Sequence, residues 1–266
     1  MIPAAILALI PGCAGGQVPL AEQLLPGGRG CNVVTRVDTA AGRFVLRQRQ
    51  PPLDRPGSVA QMELRSQQVA AAAGIAPRLV ECAPDGSWLL MEFIDAPLWD
   101  EQQLLSREGA EALGTRLCQL HGLPVPPGLP MFDADAVARA YLEQIRAADP
   151  EAAAAHQPLL SRIRVLSWAL QDAGVPAALN HGDLQAGNLL GRQPVLVDWE
   201  YAQVADPTYD IACLLTYYPR LEAQLGPLLG SAGLSNTAER AVLALQRERF
   251  GCLNRLWNMA TSAKAG

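Results

Sequence analysis

Lysine is almost missing from this chain: the only one among 266 residues is Lys264, close to the C-terminus. Without a mid-chain lysine there can be no GKS or GKT phosphate loop and no lysine Schiff base, so arginine must supply any cation the chemistry needs. Basic residues never cluster, and with a formal net charge of -5 nucleic acid is excluded as the main partner. The cysteines Cys13, Cys31, Cys82, Cys118, Cys213 and Cys252 form no C-x-x-C pair and sit mostly among apolar neighbours. They read as reduced core residues of a cytoplasmic protein, not as a disulfide or zinc framework. The opening MIPAAILALIPGC is apolar but has no basic start and is too short to span a membrane, so a buried first helix is expected and no membrane partner. Internal repeats, low-complexity linkers and blocks of one charge are also missing. With 50% hydrophobic and 18% charged residues, what remains is an ordinary globular chain, long enough for one large or two modest domains.

The chemistry concentrates in HGDLQAGNLLGRQPVLVDWEY, His181 to Tyr201. His181, Asp183 and Asn188 fit H-x-D-x-x-x-x-N, and Asp198 closes the apolar run Val195, Leu196, Val197. Leu189 and Leu190 read as a short strand, Gly191 to Pro194 as a turn and Val195 to Val197 as the returning strand. Such a hairpin brings Asn188 and Asp198 to one end, where an amide oxygen and a carboxylate can face a common point. Hard oxygen ligands of this kind suit Mg²⁺, which keeps waters and substrate phosphates in its other positions. Asp183, one loop earlier, can take the proton of an attacking hydroxyl. This is a phosphoryl-transfer pattern; the plainer reading is a polar turn between two core strands.

Around that stretch the periodicities change from two to 3.6 residues. The first part reads as strand, glycine turn (Gly27, Gly28, Gly30) and hairpin, with Val45, Arg47 and Arg49 on one face of FVLRQR. Backbone N–H groups of a glycine turn can approach a phosphate, which makes Gly28 and Gly30 candidate nucleotide contacts. A helix follows from the N-cap Ser58 to the stop at Gly74 and carries Glu63, within reach of an arginine on the third strand. Two more strands flank Asp85-Gly86, and IDAPLW crosses to a helical part. There Leu113, Leu117 and Leu120 mark one helix, Val137, Tyr141 and Ile145 a second, and Ile163, Leu166 and Leu170 a third. Pro158 is expected to separate the third from the alanine run before it. Helices over PTYDIACLLTYY and SNTAERAVLALQRERFGCLNRLWNMA are expected to pack below the site. The result is an α+β chain of two lobes, residues 1–95 with a small antiparallel sheet and one helix, and 96–266 mostly helical. A ligand cleft is expected between them.

With HGDLQAGNLL and LVDWEY in this order, the chain resembles the protein-kinase-like small-molecule kinases: aminoglycoside phosphotransferases, choline and ethanolamine kinases, and bacterial thiamine kinases. The resemblance implies a two-lobed protein-kinase-like fold, ATP and Mg²⁺ as cofactors, and a small-molecule substrate. It makes Asp183 the catalytic base and Asn188 and Asp198 the metal ligands, with Glu200 toward a second metal or the substrate and Tyr201 toward the substrate. Arg47 stands where many relatives have a lysine, able to hold phosphates and pair with Glu63. Met91, Glu92 and Phe93 would form the lobe connection that meets adenine. PGGRGCN departs from the full glycine pattern of protein kinases.

Other residues admit two readings. His181 orders the loop or moves protons, and His121 packs at a helix end. Asp206 and Asp210 are a helix cap and a loop brace, or an acidic wall. Tyr201, Tyr217, Tyr218 and Trp257 belong to the core or form an aromatic cage for a cation. Acidic residues outnumber basic ones between Asp183 and Glu222, which steers a cationic acceptor toward the site. The expected activity is phosphorylation of a hydroxyl on a choline-, ethanolamine- or thiamine-like metabolite. Aminoglycoside phosphorylation is the alternative, and a nucleotide-binding pseudokinase the alternative of another class. Oligomeric state is not legible.

Overall fold

The computed structural model describes residues 2–13, 17–25, 32–50 and 60–265. Gly27, Gly28, Gly30, Cys31 and Ser58 lie outside the described residues. The first part is an antiparallel sheet of β1 (Ala21–Leu24), β2 (Asn32–Thr39), β3 (Gly42–Arg49), β4 (Leu79–Cys82) and β5 (Trp88–Glu92), in the order β1-β2-β3-β5-β4. Alternation divides its side chains between two faces. Val37, Phe44, Leu46 and Leu90 point back and cluster with Ile2, Ile6 and Ile10, so the apolar opening is buried. Its helix α1 (Ala4–Leu7) is only one turn long, because Pro3 and Pro11 stand close on either side of it. Val45, Leu89 and Met91 point forward against Leu64 of α2 (Ala60–Ala72). Arg47, paired with Leu89 across the strands, shares that face, which sets its guanidinium toward the rest of the molecule.

The second part is helical: α3 (Glu101–Leu104), α4 (Arg107–His121), α5 (Ala134–Ala148), α6 (Pro150–Asp172), α7 (Thr208–Tyr217), α8 (Leu225–Ala232) and α9 (Thr237–Ala265). Asp100, Ser106, Asp133 and Asp149 cap α3 to α6 through their side-chain oxygens, satisfying N–H groups that have no partner inside the helix. Leu113, Leu117 and Leu120 are fully buried in a core with Trp199, Ile211 and Leu214. Val137, Tyr141, Ile145 and Ile163 pack on Leu253 and Leu256 of α9. Gly114 sits where α4 meets α8: a Cβ there would lie 2.4 Å from the Leu228 carbonyl oxygen. Short strands thread these helices: β6 (Ala178–Asn180) with β9 (Gln203–Ala205), and between them the hairpin of β7 (Leu189–Leu190) and β8 (Val195–Leu196). Among the described residues no helix is long and apolar enough to cross a membrane.

The expected break at Pro158 is not there: α6 runs from Pro150 to Asp172 with the proline inside it. Ala154, Ala155, Gln157 and Pro158 are all exposed. A carbonyl freed by the missing N–H therefore faces water, and the helix continues at a modest cost. Pro158→Ala should restore that hydrogen bond and stabilise the protein by about 1–2 kcal/mol, less than the full helix-interior penalty because the unfolded chain gains freedom too. Urea unfolding checks this, and a lower midpoint would mean that the proline is favourable where it stands.

Candidate active site

The loop after β6 is held by buried polar groups. Asp210 on α7, with no exposed surface, accepts from the N–H groups of His181 at 3.1 Å and Gly182 at 2.8 Å. Its Oδ2 also lies 3.0 Å from His121 Nε2. Asp210 is therefore the loop brace and His121 its support, while Asp206 accepts from Thr208 N at 3.0 Å at the start of α7. Gly182 has φ +80, and a Cβ on it would lie 2.2 Å from the Tyr201 carbonyl oxygen; only glycine fits that approach. His181 is buried, its Nε2 2.9 Å from the Val197 carbonyl and its ring edge-on to Trp199. Burial pushes its pKa down, so it is a neutral strut between the loop and the hairpin.

Asp183 emerges from this frame with its carboxylate oriented from three sides. Gln185 Nε2 donates to Oδ2 at 3.1 Å and Asn188 Nδ2 at 3.3 Å, while the Tyr217 hydroxyl donates to Oδ1 at 3.2 Å. Asn188 Nδ2 also reaches the Asp183 carbonyl at 2.9 Å. Asn188 ends a 3-10 turn, Ala186–Asn188, and its carbonyl accepts from Val197 N at 3.0 Å across the hairpin. That bond places Asn188 beside the residue preceding Asp198.

Asp198 is the only non-glycine residue at positive φ among those described, at φ 65. Left-handed backbone is unfavourable for residues with a Cβ, although Asp and Asn tolerate it best, and it concentrates at functional sites. Arg47 gathers the carboxylates. It pairs with Glu63, with Asp198 at 3.2 Å and with Glu200 at 3.8 Å. Arg49 holds the second Glu63 oxygen at 2.8 Å, and Asn32 Nδ2 donates to Glu200 at 3.0 Å. Burial opposes the charge on Arg47, yet Glu63, Asp198 and Glu200 together raise its pKa. For Asp198 the balance falls the other way: burial, then Glu200, push its pKa up to about 7 against the pull of Arg47. Asn32 and Gln185 were not anticipated; Gln185 was findable two residues from Asp183, whereas Asn32 meets Glu200 only through the fold. Arg49 was already on the face of Arg47.

In the lobe connection, Met91 is buried with Leu64 and Leu89. Glu92 N–H donates to the Arg78 carbonyl and Phe93 N–H to the Arg43 carbonyl, so neither N–H is available to a ligand. The Glu92 side chain pairs with Arg78 at 2.6 Å, and Arg36 lies 4.5 Å above the Phe93 ring. A cavity of about 750 Å³ opens at the hairpin, lined by Asp183, Asp198, Glu200, Tyr201, Tyr217 and Trp257 among others. No arginine lines it among the described residues.

Asn188 and Asp198 fit a hard divalent cation. Asn188 commits its Nδ2 to Asp183, leaving its oxygen as the free end, and the Asp198 carboxylate lines the cavity. No group of three or more His, Cys, Asp or Glu side chains among the described residues is arranged to hold a metal. One carboxylate and one amide is the sparse donor set that Mg²⁺ accepts.

Asp183, Gln185, Asp198 and Glu200 line one cavity, with Asn188 bonded to Asp183 and Arg47 to Asp198 outside its lining. The family model described as phosphotransferase enzyme family matches residues 23–245. The chain belongs to that family. As a phosphotransferase it shares its fold with a choline/ethanolamine kinase family protein from Mesorhizobium loti, at 24% identity and TM-score 0.69 over 98% of this chain and 86% of that one. It is also similar to choline kinase LicA from Streptococcus pneumoniae, at 16% identity and TM-score 0.72 over 96% and 89% of the two chains. Spectinomycin phosphotransferase APH(9)-Ia aligns at 15% identity and TM-score 0.61 over 90% and 82%. A search of the curated proteins gave no match.

The position of Asp198 has a thermodynamic signature. A carboxyl whose folded pKa lies above its unfolded one contributes stability that is fully present below the unfolded value and lost as pH rises through the folded value of about 7. Asp198→Asn keeps a side chain that tolerates the left-handed backbone and stays neutral. In metal-free buffer it should melt above the wild type at pH 8, with the difference shrinking as the pH falls from 7 toward 4. A variant that melts lower at pH 8 would show that the Arg47 contact dominates.

Proposed function

We propose that this phosphotransferase is an ATP- and Mg²⁺-dependent kinase acting on a hydroxyl of a small cationic metabolite of the choline, ethanolamine or thiamine type. The observation that carries the reading is the cavity, where Asp183, Asp198 and Glu200 meet Tyr201, Tyr217, Tyr218 and Trp257 with no arginine in the described lining. Carboxylates attract a cationic acceptor, and aromatic faces favour an ammonium or thiazolium group over a neutral one. Asp183 accepts the proton of the acceptor hydroxyl as its oxygen attacks the γ-phosphorus, while Asn188 and Gln185 keep the carboxylate aimed. Asn188 and Asp198 would hold Mg²⁺, which supplies charge neutralisation at the phosphates when bound. Arg47, kept in place by Glu63 and paired with Asp198, would take the phosphate-binding part of the missing lysine.

In this reading residues 1–95 form the nucleotide-binding lobe and 96–266 the catalytic and substrate-binding lobe. Gly28 and Gly30 would approach the phosphates, and the connection Met91, Glu92, Phe93 the adenine. Similar structures were solved with nucleotide, spectinomycin phosphotransferase with ADP and LicA with AMP, which supports ATP as donor. Cys13, Cys82, Cys118, Cys213 and Cys252 are all free thiols, which suits the cytoplasm. The cavity volume of about 750 Å³ also favours a second reading, an aminoglycoside-sized acceptor carrying several amines. The complete set Asp183, Asn188 and Asp198 speaks against a pseudokinase.

The test is ADP release from ATP and Mg²⁺ across choline, ethanolamine, thiamine and a set of aminoglycosides. One acceptor class should stimulate turnover, and Asp183→Asn should lower kcat by about 10²–10⁴-fold with the nucleotide KM nearly unchanged. Equal loss of binding and turnover would make Asp183 structural. Arg47→Ala should instead raise the nucleotide KM, and an unchanged KM would remove Arg47 from the phosphate site.

A further inference from the structure

The two carboxylate oxygens of Asp183 are not equivalent. Oδ2 is held by Gln185 and Asn188, both within five residues along the same loop. Oδ1 receives the hydroxyl of Tyr217, from the end of α7 and 34 positions along the chain. Tyr217 is 37% exposed and the last residue of its helix, while its ring meets Phe250 edge-on at 5.7 Å and its hydroxyl also interacts with the Cys213 thiol. Its neighbour Tyr218, by contrast, is tied to the loop through its hydroxyl, which accepts from Ala186 N at 3.0 Å. Both Tyr217 and Asp183 line the cavity. A base can take a proton only from a hydroxyl within hydrogen-bond reach, and the phenol occupies that reach on the side opposite the loop's own donors.

We propose that Tyr217 guards the catalytic base: its phenol covers Asp183 Oδ1 while no acceptor is bound, so that water cannot use the base to hydrolyse the nucleotide, and an acceptor hydroxyl displaces it. The inference rests on the kinase reading above. In the reaction held off, a water oxygen bonds to the γ-phosphorus as the bond from γ-phosphorus to the bridging oxygen breaks. ADP leaves with that electron pair, and the water proton passes to Asp183, giving ADP, inorganic phosphate and a proton. With an acceptor bound, its hydroxyl replaces the phenol and the same bonds change, giving the phosphorylated acceptor instead of phosphate. The phenol cannot itself replace the base, since burial raises its pKa and it stays protonated.

The experiment is phosphate release from ATP and Mg²⁺ without any acceptor, for the wild type, Tyr217→Phe and Tyr217→Leu, each first shown folded by its melting curve. Both variants lack the donor. Hydrolysis should rise by roughly ten- to hundredfold, the worth of one hydrogen bond to a charged group. The ratio of hydrolysis to transfer should rise with it, and adding Asp183→Asn to Tyr217→Phe should remove the gain. A merely structural tyrosine would lower hydrolysis and transfer together. If either folded variant shows no rise while the wild type phosphorylates a member of the acceptor panel, the guard is overturned and the kinase reading stands. If the wild type and Asp183→Asn release ADP equally with every acceptor, the kinase reading fails and the guard with it.

Discussion

The arrangement depends on one buried cation. Arg47 leaves the sheet and meets Glu63 on α2, Asp198 at the end of the hairpin and Glu200 just beyond. These come from both parts of the chain, so the guanidinium is the joint at which the sheet is registered against the catalytic hairpin. Desolvating an arginine is expensive, and removing one member of such a group leaves the others buried and uncompensated. The planar fork suits several carboxylates at once in a way an ammonium would not. Arg49 adds a second cation on Glu63, while burial and then Glu200 oppose the charge on Asp198 more than Arg47 favours it.

The loop carrying Asp183 is rigid for a different reason. Its backbone N–H groups are fixed by Asp210, its turn requires glycine at Gly182, and His181 ties it to the hairpin. Each is a buried polar group with a defined partner, the condition under which low dielectric strengthens hydrogen bonds instead of penalising them. The exposed member of the constellation is Tyr217, on the end of a helix whose residues Thr208 to Leu215 are all buried. The Asp183 carboxylate thus has donors of its own loop on one oxygen and the Tyr217 hydroxyl on the other.

Much of the fold could be read from periodicity, because the driving patterns are local. The alternation in FVLRQR separated Phe44 and Leu46 from Arg47 and Arg49, and the structure keeps them on opposite faces. The stripe Leu113, Leu117, Leu120 is buried as a single face of α4. Pro158 misled because a proline's cost depends on whether the freed carbonyl meets water, which is a property of the packed surface and not of the local sequence. The pairing of β6 with β9 was equally illegible: three-residue strands separated by the whole catalytic hairpin carry no periodic signal of their own.

For the site, the sequence by itself determined the chemical parts: a carboxylate and an amide at a fixed spacing in one loop, a second carboxylate after a short hairpin, and an arginine in place of any mid-chain lysine. Those follow from residue identity and short-range geometry. Only the tertiary structure decided how the parts are partnered: Asn32 on Glu200, Asp210 on the loop N–H groups, His121 behind Asp210 and Tyr217 on the base. Such contacts join residues 28 to 168 positions apart. Side-chain hydrogen bonds act over about 3 Å, so chain distance says nothing about them until the core has set which helix and strand ends meet.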